Sequence, residues 1–216
     1  MGTLVRQLAP AHGFDVVGVL GRADAAAGLE ALAPRAADVA IDFTFAEAVP
    51  ANLPRLAARG INVVVGTTGW QADEPALREE ASRRGIGVVA AANFSLGMSI
   101  FQQVAAEAAR RLAARPEFGA FIHERHHDKK RDAPSGTALA IQAAMEAAGF
   151  ARFIDVSSAR AGFIPGTHTV GFDGPAETIE LTHTVRDRSV FAHGALVAAR
   201  WVVGRRGWFG VEDIVN

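Results

Sequence analysis

Apolar positions in the first part of the chain fall into short unbroken runs, not alternating ones. Phe14–Leu20, Val39–Phe43, Ile61–Val65 and Ile86–Ala91 each read as a strand. Between them lie stretches with helical spacing: the alanine-rich residues 24–37, then Glu47–Arg59 and Ala72–Arg84, the last two followed by Gly60 and Gly85 as caps. Leu4, Val5 and Leu8 share one face of a helix ending near Pro10. Continuous apolar strands alternating with helices predict a parallel sheet covered on both faces. Ligands of such sheets bind beyond the carboxyl ends of the strands, which singles out the loops after Leu20, Phe43, Val65 and Ala91.

The pattern changes after Gly97. Residues 98–114 predict one long helix and Ser135–Ala148 a second. Residues 118–126 read as extended, with a helix as the rival reading. Over 153–191 apolar and polar positions alternate between glycine and proline turns, which predicts antiparallel strands. Ala192–Val203 predicts a last helix. The expected architecture is an α/β domain formed by residues 1–95 and 192–216, and an α+β domain with a mixed or antiparallel sheet over 96–191.

Composition narrows the function classes. The 216 residues are 50% hydrophobic and 21% charged, as in ordinary globular proteins. With 22 basic and 23 acidic residues, no nucleic-acid footprint exists and no such partner is expected. Cysteine is absent, which excludes disulfides, thiolate metal sites and cysteine nucleophiles. There is no signal-peptide pattern at the start, and no apolar run reaches the ~18 residues of a membrane span. The expectation is a cytoplasmic protein without a membrane partner.

Chemistry concentrates between His123 and Thr137, where three of the seven histidines lie among four cationic side chains. A helix starting at Ser135-Gly136-Thr137 offers free N–H groups and a positive dipole end to a carboxylate. Histidine supplies a proton near neutral pH. Together these suit a dianionic organic acid. The bland alternative is a solvated loop before an ordinary serine cap. His123-Glu124-Arg125-His126-His127 also matches the zinc-peptidase pattern H-E-x-x-H, with Glu146 as a third ligand, provided the segment is helical. Gly66-Thr67-Thr68-Gly69 and Ala91-Ala92-Asn93-Phe94-Ser95 follow strands. They would line a ligand through backbone, hydroxyl and amide groups, with Phe94 flanking a flat ring, or serve as a tight turn and a hinge with a buried Phe. Arg160–His168 is a turn-rich loop.

These segments together resemble the 4-hydroxy-tetrahydrodipicolinate reductase (dihydrodipicolinate reductase) family. Its signature E-x-H-H-x-x-K-x-D-A-P-S-G-T-A is matched at every specified position from Glu124 to Ala138, and R-A-G-x-I-P-G-T-H at 160–168. The resemblance implies a Rossmann-like cofactor domain and a substrate domain that forms homotetramers through its sheet, driven by an exposed apolar face. It implies NAD(P)H-dependent reduction of a ring dicarboxylate with loss of water, and no metal. His126 would donate the proton, with Lys130 a further catalytic candidate. His127, Ser135, Gly136 and Thr137 would hold the substrate. Gly66, Thr67, Thr68, Ala91, Ala92, Asn93 and Phe94 would line the cofactor.

Two departures matter. The family's first strand and its glycine loop are missing, because Met1-Gly2 align with that loop's last two residues. A gap with exposed apolar surface is therefore expected, from a misplaced start or a truncation. At the end of the Phe14–Leu20 run no carboxylate appears, and Arg22 can meet a 2′-phosphate, so NADPH is expected over NADH. A non-catalytic dicarboxylate-binding protein that lost its cofactor site is the alternative from another class.

Overall fold

A computed structural model describes residues 1–21 and 25–216. They form two compact units, Met1–Leu96 with Ser189–Asn216, and Gly97–Arg188.

The chain opens with α1 (Gly2–Leu8) and continues through α2 (Ala25–Ala31), β1 (Val39–Asp42), α3 (Val49–Ala58), β2 (Asn62–Val65), α4 (Glu74–Arg84) and β3 (Gly87–Ala90). In the second unit come α5 (Leu96–Leu112, which begins at the boundary), β4 (Gly119–His126), α6 (Gly136–Ala147), β5 (Ile154–Arg160), β6 (Thr167–Asp173) and β7 (Thr178–Thr184). The chain then returns to the first unit with α7 (Ser189–Val202), β8 (Gly207–Phe209) and α8 (Glu212–Val215).

The first unit's sheet is parallel, in the order β1-β2-β3-β8. Alternation of side chains explains why its strands are apolar throughout. Val63, Val65 and Val88 pack with Leu53, Leu56 and Leu77 of α3 and α4. Val64 and Val89 pack on the other face with Ala195, Ala198, Ala199 and Val202 of α7. Strand β8 has no counterpart in the hydrophobic pattern, since only Trp208 and Phe209 follow two arginines there.

The strand expected at Phe14–Leu20 is not formed. A strand is stabilised by its ladder, and among the described residues this segment pairs with none. Val16, Val17 and Val19 stay 46%, 70% and 63% exposed, so the expected bare apolar surface is present. Residues 14–19 line a hollow of about 730 Å³ together with Arg6, Pro10 and Gly13. Helix α1 instead packs Val5 and Ala9 on Ala192 and Leu196 of α7, beside Ile41 and Phe43.

The second unit's sheet is mixed, in the order β5-β4-β6-β7. Strands β4, β6 and β7 are antiparallel neighbours, whereas β5 runs parallel to β4 because α6 carries the chain back between them. The sheet is therefore mixed, the first of the two forms expected, with β5 as its one parallel strand. One face carries Ile122, Ile154, Val170 and Phe172, packed with Phe101, Ile141 and Met145 from α5 and α6. Alternation gives the opposite face Phe121, His123, Arg125, Thr169, Glu180 and Thr182. Apart from Phe121, Ala159 and Gly171 that face is polar, with a Thr169–Thr182 hydroxyl pair at 3.0 Å, so it is not the broad apolar face expected to drive assembly.

Candidate active site

Register decides where the second unit turns polar. The helix-covered face continues from Ile122 to Glu124 and His126. Glu124 stands opposite Ser158 on β5 and His168 on β6, and His168 opposite His183 on β7. His126 stands opposite Arg160. Four strands thus bring one carboxylate, three histidines and an arginine to one end of a sheet whose other end is core.

Glu124 is fully buried and organises this cluster. Its Oε1 accepts hydrogen bonds from the Ser135 amide at 2.9 Å, the Ser158 hydroxyl at 2.8 Å and Arg160 Nη2 at 2.6 Å. Burial alone would raise its pKa. The hydrogen bonds from Ser135, Arg160 and Ser158 outweigh burial and hold it at about 2. Oε2 lies 3.4 Å from His126 Nδ1 and 3.4 Å from His168 Nε2. Neither contact has the geometry of a hydrogen bond, and Oε2 and His126 Nδ1 have no such partner. Burial lowers the pKa of both histidines against the opposing pull of Glu124, that of His168 to about 4. Their rings meet edge to face, with centroids 5.1 Å apart. On the far side of the His126 ring, a Cβ at Gly166 would come within 3.0 Å of Cδ2 and 3.1 Å of Nε2.

The loop from β4 to α6 holds the remaining predicted groups. His127 is exposed. Lys130 Nζ sits 2.8 and 2.9 Å from the two carboxylate oxygens of Asp132. Asp132 Oδ2 also accepts from the Gly136 amide at 3.3 Å. Ser135 is buried and caps α6, accepting from the Ala138 amide at 3.2 Å, while its Oγ lies 3.3 Å from His168 Nε2. Gly136 is exposed and Thr137 half-buried at the helix start.

In the first unit the two predicted loops follow β2 and β3. Gly66 is small for a packing reason, because a Cβ there would overlap the Phe43 ring. Thr67 turns inward, its hydroxyl 3.2 Å from Asp42 Oδ1, and its carbonyl accepts from Trp70 Nε1 at 2.7 Å. Thr68 and Ala92 are exposed and Ala91 is half-buried. Asn93 Oδ1 accepts from the Ser95 amide at 2.8 Å. Phe94 is 1% exposed and packs in the core beside Phe43, so its ring flanks no ligand and it supports the loop from beneath. A cleft of about 210 Å³ opens at these strand ends, lined by Thr67, Trp70, Ala91, Ala92, Trp208 and Phe209. Arg22 lies outside the described residues.

The profile described as "Dihydrodipicolinate reductase, N-terminus" matches residues 1–94, and the one described as "Dihydrodipicolinate reductase, C-terminus" matches 97–215. The chain belongs to the dihydrodipicolinate reductase family. Curated relatives named 4-hydroxy-tetrahydrodipicolinate reductase agree. That of Myxococcus xanthus is 44% identical over 198 residues, covering 83% of this chain and 71% of the relative. That of Methanoregula boonei is 41% identical over 208 residues, covering 89% and 80%. Among solved structures, a dipicolinate-bound dihydrodipicolinate reductase from Paenisporosarcina sp. TG-14 shares the fold, with a TM-score of 0.72 at 24% identity over 82% of this chain and 73% of that one.

In this reductase the zinc-peptidase pattern has no site. His123 lies on strand β4 and His127 just beyond it. Four residues of extended chain set them roughly 13 Å apart along the strand, against one turn on a helix. His123 instead contacts Ser157 Oγ at 2.9 Å. Four residues of the reductase's polar cluster were not singled out from sequence: Glu124, Arg160, His168 and His183. The first three lie within family motifs and His183 within none, and only strand register shows that they converge.

Proposed function

We propose that the polar end of the second unit's sheet binds and protonates the substrate, and that the loops after β2 and β3 hold the nicotinamide. The reaction is that of the family, NAD(P)H-dependent reduction of 4-hydroxy-tetrahydrodipicolinate to tetrahydrodipicolinate with loss of water, in lysine and diaminopimelate synthesis. What supports the residue roles best is the setting of His126. Its Nδ1 faces the buried Glu124 carboxylate, while Nε2 faces the opposite way, beside Gly166. A ring set in this way presents Nε2 as the proton donor to the substrate. Lys130 and the amides of Gly136 and Thr137 take a substrate carboxylate, with His127 beside them. Ser135, already engaged as the helix cap, shapes this site from behind.

For the cofactor, the cleft at the strand ends and the exposed residues Thr68 and Ala92 fit a flat polar ring. Gly66, Thr67, Thr68, Ala91, Ala92 and Asn93 would hold it, with the buried Phe94 supporting the loop from the core, and a bound nicotinamide supplies the hydride. NADPH is proposed over NADH because Leu20-Gly21-Arg22 carries no carboxylate. Homotetramers in the cytoplasm are proposed from the family resemblance; among the described residues no helix is long and apolar enough to cross a membrane.

Replacing His126 by Gln tests the assignment. The variant should lose roughly 10²–10⁴-fold in kcat, the usual contribution of a positioned acid, and still bind dipicolinate. Native turnover by His126→Gln would remove His126 from the role.

A further inference from the structure

Glu124, His126 and His168 gather inside the second unit, where His168 Nε2 also lies 3.3 Å from Ser135 Oγ. One ligand atom from each lies within 4.8 Å of the others. Glu124 Oε2 is 3.4 Å from a nitrogen of each histidine. Ligands of a tetrahedral zinc-class ion, bound at ~2.0–2.1 Å, stand ~3.4 Å apart, so two edges of the required triangle already exist. Glu124 and His168 are almost wholly buried, at 0% and 4% exposure. Glu124 Oε2 and His126 Nδ1 are buried without a hydrogen-bond partner. Such atoms are costly to leave unmet, and a cation meets both at once.

We propose that Glu124, His126 and His168 form a binding site for a divalent first-row transition ion of the zinc class, and that its occupancy switches the reductase off. Imidazole and carboxylate ligands select this class over magnesium or calcium, which take all-oxygen sites. The carboxylate is prealigned, since Ser135, Ser158 and Arg160 fix its other oxygen. Arg160, whose charge opposes the ion, weakens the site relative to a structural zinc centre and makes occupancy reversible.

Inhibition follows from which nitrogen is taken. An ion on His126 Nδ1 leaves Nε2 as the ring's only proton carrier. Giving that proton up would then produce an imidazolate instead of a neutral ring. The ion also fixes the ring against Glu124. This consequence rests on the proposed role of His126 as the proton donor; the binding site itself does not.

The test uses the full chain with Co²⁺ as the probe, followed by visible absorption. One equivalent should produce the d–d bands of a four- or five-coordinate nitrogen and oxygen site. These bands should vanish in His168→Gln and persist in His123→Ala. Zn²⁺ added to the native protein should shift the ring resonances of His126 and His168 in nuclear magnetic resonance, a reading that needs no variant. Absence of both the bands and the shifts overturns the site, as do bands retained in His168→Gln. In turnover assays Zn²⁺ should abolish activity and a chelator restore it. Binding without loss of turnover overturns the switch and leaves the site. A chain that binds Co²⁺ as expected but never reduces substrate counts against the reductase reading alone.

Discussion

Lys130 is held by Asp132, with its ammonium 2.8 and 2.9 Å from the two carboxylate oxygens, and the same carboxylate lies on the first amide of α6. Asp132 therefore occupies the groups proposed for a substrate carboxylate. A dicarboxylate has to displace it, and the pair must open on binding. Asp132→Asn should relieve that competition. Exposed pairs of this kind contribute roughly 0.2–1 kcal/mol, which converts to dipicolinate binding tighter by about 1.4- to five-fold, read by calorimetry. Weaker binding would mean that Asp132 aims Lys130 and does not compete with the ligand.

Gly166 borders the ring proposed to deliver the proton. Its backbone is not in the left-handed region, so alanine suits it conformationally. The added methyl, however, would press on His126 Cδ2 and Nε2 from 3.0 and 3.1 Å. The ring must give by a few tenths of an ångström. Misplacing a catalytic group by a full ångström costs ~10²-fold, so Gly166→Ala should lower kcat by about ten-fold. Thermal unfolding should barely move, because the residue is only half-buried. An unchanged kcat would show that the ring tolerates the shift.

Much of this was legible in the sequence. The runs at Val39–Phe43, Ile61–Val65 and Ile86–Ala91 announce buried parallel strands because both faces of the sheet are covered, leaving no room for polar alternation. Val16, Val17 and Val19 carry the same signal and are not in a strand, since apolar pattern reports what a segment can bury and not whether a partner lies beside it. At the site, His126, Lys130 and the Ser135-Gly136-Thr137 helix start are adjacent in sequence, and so could be read together. Glu124 and His168 meet across 44 positions through one antiparallel register, which no local pattern encodes. Phe94 was open to two readings for a related reason: a loop position does not tell an accessible ring from a buried one, and here Phe43 and α7 enclose it.

Gly194 in α7 faces the carbonyl of Phe94. A Cβ there would overlap that oxygen, a backbone atom with no rotamer to move to. Either α7 shifts off the sheet or the 91–95 loop shifts with it. Gly194→Ala gains helix propensity of about 1 kcal/mol, yet overpacking of this kind costs ~1–3 kcal/mol or more. Net destabilisation is expected, seen as a lower midpoint in urea. A midpoint at or above that of the native chain would show that helix and loop separate without strain.

The buried Glu124–Arg160 pair invites a double-mutant cycle. Glu124 is fully buried and the Arg160 side chain 16% exposed, with Nη2 also donating to the Asp132 carbonyl at 2.6 Å. Glu124→Leu alone strands the guanidinium, leaves the Ser135 amide without its acceptor and removes the negative charge between two histidines. Breaking such a pair from one side costs ~3–5 kcal/mol. Arg160→Met alone leaves a buried carboxylate that still has the Ser135 and Ser158 donors, so it should cost less. The double variant removes both charges and should recover much of the loss, since apolar replacement of a buried pair is often near neutral. Urea unfolding of the four proteins measures the coupling, which should exceed the few tenths of a kcal/mol expected of independent sites. Additive losses would mean that the Ser135 and Ser158 hydrogen bonds, not the arginine, hold the Glu124 charge in the fold.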